Sequence, residues 1–157
     1  MSQEQWRGEV TEYIDKTKFA VLAYVRNDQT PVQRSMGSFA PKGLDIYFST
    51  RKDAHKVKEI VDNKRISFLF EHENQELSQW RNVLLIGEAA KTDNIEELDS
   101  AVELLSSRSP RFKERIAKGE LANIQIFKLK TSEIEYLDYG KGIGHVQKII
   151  LEKDESL

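Results

Sequence analysis

Four cationic residues fall within one short stretch of the chain: Arg51, Lys52, Lys56 and Lys58, with His55 among them and Asp53 as the lone acid. The stretch follows Ser49 and Thr50 and leads into residues 53–62, where Val57, Ile60 and Val61 recur at helical spacing. A helix start offers unpaired N–H groups and the positive end of its dipole, so lysines there are unfavourable unless an anion joins them. The chemistry this favours is phosphate binding. Arg34 lies in an otherwise uncharged extended segment, residues 31–40. If that segment pairs with the next strand, Arg34 comes beside Ser49 and Thr50. An arginine, a lysine, two hydroxyls and a helix start are donors enough for a phosphate monoester. Arg81 and Asn82 add a polar pair at the head of an apolar run. Taken singly, each of these features also reads as a solvated helix face or strand end.

Other reactive patterns are absent. Without cysteine there is no disulfide framework, thiolate metal site or cysteine nucleophile. His55, His72 and His145 are scattered, and His72-Glu73 has no second histidine at the zinc-hydrolase spacing. Gly140-Lys141-Gly142-Ile143-Gly144 superficially suggests a dinucleotide loop, but too little chain follows for a βαβ unit of about 30 residues. There is neither a Walker loop nor a Gly-x-Ser-x-Gly elbow.

The elements that must position the cationic cluster follow from periodicity. Residues 2–16 place Trp6, Val10, Tyr13 and Ile14 on one helical stripe. Residues 19–25, 30–40 and 44–48, separated by polar turns at 26–29 and 41–43, predict a three-strand meander. After the helix at 53–62, residues 66–70 and 83–90 predict two more strands. Residues 93–107 and 109–118 predict helices, the second led by Pro110, and residues 123–137 return to strand character. The acidic run within 97–103 faces the basic 108–118 as a complementary helix pair. Trp6 and Trp80 are packing residues. About six strands with hairpin-linked neighbours predict a mainly β protein, an antiparallel barrel with peripheral helices.

The chain's 157 residues, 39% of them hydrophobic, suit a single domain over 1–157, with a barrel core at about 10–138 and a glycine-containing tail at 139–157. The balance of 24 Lys+Arg against 26 Asp+Glu argues against coating a nucleic acid or an anionic membrane surface. No apolar run approaches the roughly 20 residues of a membrane span, and the acidic N-terminus is unlike a leader peptide. A cytoplasmic setting is the expectation.

Several pieces occur in a telling order: Gln33-Arg34-Ser35-Met36, Tyr47-Phe48-Ser49-Thr50, Ala54-His55-Lys56-Val57, residues 63–70, and Arg81-Asn82 leading into residues 83–89. In that order and spacing, over roughly residues 10–138, the chain resembles the FMN-binding split-barrel superfamily of pyridoxamine 5′-phosphate oxidase, and in particular its general-stress-type members. The resemblance implies a homodimer with non-covalent FMN at the subunit interface and a flavin-dependent oxidoreductase acting on a small molecule. It implies that Arg34 and Lys56 neutralise the FMN phosphate, with His55 standing where Arg is common. Phe48, Ser49 and Thr50 would line the phosphate or ring, and the backbone at Ser35 and Met36 would approach the isoalloxazine. Asn82, where Gln is frequent, would reach in from the partner subunit beside Arg81. The oxidase's Arg- and His-containing terminal clamp is replaced here by Glu133-Ile134-Glu135-Tyr136-Leu137-Asp138, so vitamin B6 oxidation is not expected. Two alternatives share the fold: a haem-binding or haem-degrading protein using His145, and a cofactor-free binding module.

Overall fold

The computed structural model describes residues 2–151. Ser2 caps the first helix, α1 (Gln3–Asp15), by accepting a 3.2 Å hydrogen bond from the Gln5 N–H. The stripe Trp6, Val10, Tyr13 and Ile14 is buried as its spacing predicts. Eight strands follow, two more than the sequence pattern suggests: β1 (Ala20–Val25), β2 (Pro31–Met36), β3 (Phe39–Lys42), β4 (Asp45–Arg51), β5 (Arg65–Glu71), β6 (Arg81–Lys91), β7 (Ile124–Asp138) and β8 (Val146–Ile150). Helix α2 (His55–Asp62) lies between β4 and β5, and α3 (Ile95–Arg108) and α4 (Pro110–Ala117) between β6 and β7.

All pairings are antiparallel, in the order β2-β1-β5-β6-β7-β4-β3 with β8 added to β7. The expected meander is therefore corrected. The segment 30–40 breaks at Gly37-Ser38 into two strands; β2 pairs with β1, while β4 takes β3 on one edge and β7 on the other. At the break the Ser49 N–H donates to the Ser38 carbonyl at 3.1 Å and the two serine hydroxyls share a hydrogen bond, so the chain itself joins the two ends of the curled sheet. The result is a split barrel. Alternation fills it from every side: Leu22, Phe68, Phe70, Leu85, Ile46, Phe48, Phe127 and Leu129 are wholly buried. The Phe48 ring stacks at 5.4 Å on Phe127 and meets Phe68 edge-on at 5.1 Å, arrangements favoured by the ring quadrupoles.

The long β7 serves three strands, β6 along one edge and β4 then β8 along successive stretches of the other, and its pairing with β6 has one irregularity. Its register against β6 shifts at Ile86/Gly87, leaving Ser132 as the extra residue of a bulge. Here the backbones approach so closely that a Cβ on Gly87 would lie 2.0 Å from the Lys130 carbonyl oxygen. Asp45 completes the joint, its buried carboxylate accepting the Thr131 N–H at 3.0 Å.

A second, smaller core lies outside the barrel, where Ala101, Leu105 and Phe112 of α3 and α4 cover Tyr47, Ile124 and Ile126. The two helices do not form the charge-complementary pair expected of them. Apolar residues join them, and their charges bind elsewhere: Glu97 lies 3.7 Å from Lys128, Arg108 3.3 Å from Asp15, and Lys118 pairs with Glu114 of its own helix. The glycine-containing tail packs as well. Residues 146–150 form β8 against β7, and Leu151 donates its N–H to the Ser132 carbonyl; residues 152–157 of that predicted tail lie outside the described residues. Trp6 is buried and Trp80 half-buried, its indole N–H donating to Glu71 at 2.9 Å.

Candidate functional site

Helix α2 begins without a capping side chain. Ala54 occupies the cap position in extended conformation, no acid lies in the first turn, and the nearby Asp53 is diverted, its carboxylate held by Arg51 through bonds of 3.1 and 2.8 Å. The N–H groups and dipole of this helix end are thus left without negative compensation. Beside it, the ammonium of half-buried Lys56 reaches only the thioether of Met36, at 3.7 Å. Burial, with Arg34 adding repulsion, holds the Lys56 ammonium below the usual lysine range. Arg34, exposed on the edge strand β2, donates to the carbonyl of its neighbour Gln33. Among the described residues no carboxylate forms an ion pair with either cation. Two adjacent cations and a bare helix end, one of the cations half-desolvated, are electrostatically incomplete without an anion. A groove of about 900 Å³ opens here, with Arg34 and His55 on its lining.

The other sequence-predicted residues divide among different places. Ser35 is exposed on β2, and Met36 is buried beneath Lys56. The Phe48 side chain belongs to the core, so only its backbone could meet a ligand. Ser49 and Thr50 do not converge with Arg34, because β4 is not β2's partner. They line a second cleft, with Lys18, Phe19, Gly37, Arg108 and Arg111. Arg108 anchors its floor by donating to the backbone carbonyls of Phe39, Asp15 and Thr17 at 3.0, 2.9 and 2.9 Å. This role was not legible beforehand, since in sequence Arg108 reads only as the start of a basic helix.

Arg81 and Asn82 stand apart from both. Arg81 lies 5.1 Å over the Tyr13 ring and donates to the Tyr136 hydroxyl at 3.4 Å. Burial pushes that hydroxyl up to about 12. The Arg81 backbone is held by Gln75 and Tyr13, and Asn82 donates to Glu71 at 2.9 Å. With β1 and β5 between β6 and β2, a single chain does not bring these two side chains to the Arg34–Lys56 cluster. His145 is exposed, its backbone tied into the turn before β8 by its N–H to Gly142 and its carbonyl to Asp138.

A split barrel with an anion-ready helix end is one half of an assignment; the sequence family is the other. The family model described as pyridoxamine 5′-phosphate oxidase matches residues 7–138. The chain belongs to the pyridoxamine 5′-phosphate oxidase family. Curated proteins contain no match to it. Among solved structures, this family member is similar to general stress protein 26 from Bacillus anthracis str. Sterne, with 18% identity over 94% of this chain and 99% of that one and a TM-score of 0.71. It is similar to a general stress protein 26 relative of the pyridoxinephosphate oxidase family from Clostridium acetobutylicum, with 16% identity, 99% and 100% coverage and a TM-score of 0.71. A heme binding protein from Mycobacterium smegmatis shares 14% identity with a TM-score of 0.77 over 96% of this chain, which spans 58% of that one. At such identities the likeness is one of fold. No helix among the described residues is long and apolar enough to cross a membrane.

Proposed function

We propose that this member of the pyridoxamine 5′-phosphate oxidase family binds FMN non-covalently and serves as a flavin-dependent oxidoreductase for a small molecule other than a B6 vitamer. The observation that carries the reading is the half-buried Lys56, which meets a thioether and a second cation where an ion pair would normally form. A half-buried lysine without a carboxylate partner is in an environment that a bound anion improves, and the uncapped α2 terminus favours a phosphate. In this arrangement Lys56 and Arg34 take the two charges of the phosphate, and the α2 N–H groups donate to its remaining oxygens. Ser35 and Met36 would offer backbone to the ring, which would extend toward the second cleft with its Thr50 hydroxyl and exposed Phe19. When bound, the flavin supplies the hydride or single-electron transfer that a chain without cysteine does not provide.

The site is assigned to a homodimer. Arg81 and Asn82 join the flavin only if a second copy presents them. An apolar outer face supports such a copy: Val21, Leu69 and Leu84 lie in one cross-strand row and Ala23, Ser67 and Ile86 in the next, all half-exposed.

Calorimetric titration with FMN tests the assignment. Charge-assisted phosphate contacts of about 1.5–3 kcal/mol correspond to roughly ten- to hundredfold in affinity. Lys56→Met and Arg34→Ala should each weaken FMN by at least that tenfold. Unchanged affinity in both variants rules out this phosphate site.

A further inference from the structure

The second cleft, about 900 Å³ in volume, is walled by the α1–β1 connection, the break between β2 and β3, the end of β4 and the α3–α4 corner. Lys16, Lys18, Arg108, Arg111 and Arg115 line it against a single acid, Asp15. Three of these cations are engaged: Lys16 pairs with Glu12 at 2.7 Å, Arg108 with Asp15 at 3.3 Å, and Arg115 approaches Glu120 at 3.9 Å. Arg108 is committed further, to its three backbone carbonyls. Lys18 and Arg111, both exposed, have no ion-pair partner among the described residues. Like charges gathered in one recess repel, and an anion entering it relieves that repulsion.

The same recess holds an aromatic ring with little to cover it. Phe19 is 64% exposed. One edge of its ring rests against Gly37, where a Cβ would stand 3.0 Å from the ring's Cε1. A single exposed apolar residue is ordinary on an open surface, but this one lines a concave site and follows Lys18 directly in the chain. An aliphatic anion entering here leaves the ring without a matching partner. A neutral aromatic leaves the two cations unbalanced. A flat ring bearing an acidic group satisfies both, packing offset or edge-on against Phe19 while its charge meets the Lys18 ammonium and the Arg111 fork.

We propose that the second cleft binds an aromatic acid, its ring against Phe19 and its anionic group on Lys18 and Arg111. That this molecule is the reaction partner of the flavin rests on the reading above; that the cleft binds it does not.

Calorimetric titration of the full chain, saturated with FMN at fixed, low salt, tests the proposal with three probes: 1-naphthoate, its neutral amide 1-naphthamide, and cyclohexanecarboxylate. Naphthoate should bind at least tenfold more tightly than either of the others. The Lys18→Gln/Arg111→Gln double variant should weaken naphthoate about tenfold and change FMN affinity less than threefold, and Phe19→Ala should weaken naphthoate at least threefold. Naphthoate bound no more tightly than its amide, or equally by parent chain and double variant, overturns the proposal. Equal binding of naphthoate and cyclohexanecarboxylate, or undiminished naphthoate binding in Phe19→Ala, overturns it as well. Failure of FMN to bind the parent chain overturns the flavin reading alone, and the same titrations on the FMN-free chain then decide the cleft.

Discussion

Two ionisable residues, one half-buried and one buried, show how differently a charge can be used in this protein. Lys56 has a lowered affinity for its proton because burial and Arg34 disfavour the ammonium. The folded chain therefore holds that proton less firmly than the unfolded chain, and this group's contribution to stability grows as pH rises toward the ordinary lysine value of 10.5. At neutral pH the charge is a burden on the ligand-free protein, so Lys56→Met should raise its unfolding midpoint while weakening FMN. Asp45 is the structural counterpart. Burial raises its pKa, against the opposing pull of the Thr131 N–H and of Lys128, whose ammonium lies 3.8 Å away. A raised acid binds its proton more readily folded than unfolded, so stability from this group is gained as pH falls through the raised value, and the gain is complete below the ordinary 3.8. Asp45→Asn keeps an oxygen for Thr131 and removes the titration. In chemical denaturation at a series of pH values, wild type should gain on the variant during acidification from neutral pH toward that ordinary value. A flat difference across the series contradicts the burial assigned to Asp45.

At the scale of single elements, α2 and the β6–β7 joint are opposites. Helix α2 lacks a capping side chain, and the proposed phosphate would use its open end. Ala54→Asp supplies the missing cap and should stabilise the ligand-free chain by about 1 kcal/mol in chemical denaturation. The same carboxylate occupies the anion's place, so FMN affinity should fall at least tenfold in titration. A variant with both improved stability and intact FMN binding contradicts the assignment of this helix end. The joint tolerates no such exchange. In Gly87→Ala the added methyl lies 2.0 Å from a backbone oxygen, so the strands must separate or the bulge re-form. A loss of about 3 kcal/mol or more in denaturant unfolding is expected, at the upper end of what single substitutions cause.

For the whole molecule, the decisive surface is the outer face of β1, β5 and β6. Its rows of half-exposed valine, leucine and isoleucine lie on the side of the sheet that no helix covers at those positions, whereas the face carrying Tyr47 is covered by α3 and α4. Leu84→Lys places a charge in the middle of the row Val21–Leu69–Leu84. Light scattering should then show a dimer for the parent chain and a monomer for the variant, with FMN affinity reduced in the monomer because Arg81 and Asn82 no longer arrive from a partner. A parent chain that is monomeric at micromolar concentration removes the two-chain site.

What the sequence determined by itself was local. The stripe of α1, the strand alternation, the start of α4 at Pro110 and the cationic stretch before α2 are each set by residues within a few positions of one another, where backbone propensity and side-chain period act directly. The order of Arg34, Ser49-Thr50, Lys56 and Asn82 along the chain likewise carried the family. Which strands pair was not local. The break at Gly37-Ser38 looked like continuous strand because nothing in the residues themselves shows that Ser38 must bond Ser49 across a corner. β8 was hidden in a glycine-containing tail because its pattern becomes meaningful only against the exposed edge of β7. Tertiary structure therefore decided where the candidate residues lie: Lys56 beside Arg34, Ser49 and Thr50 in another cleft, and Arg81 and Asn82 on β6, with β1 and β5 between it and β2. Sheet closure sets these distances through hydrogen bonds between residues far apart in sequence, and no short-range pattern encodes them.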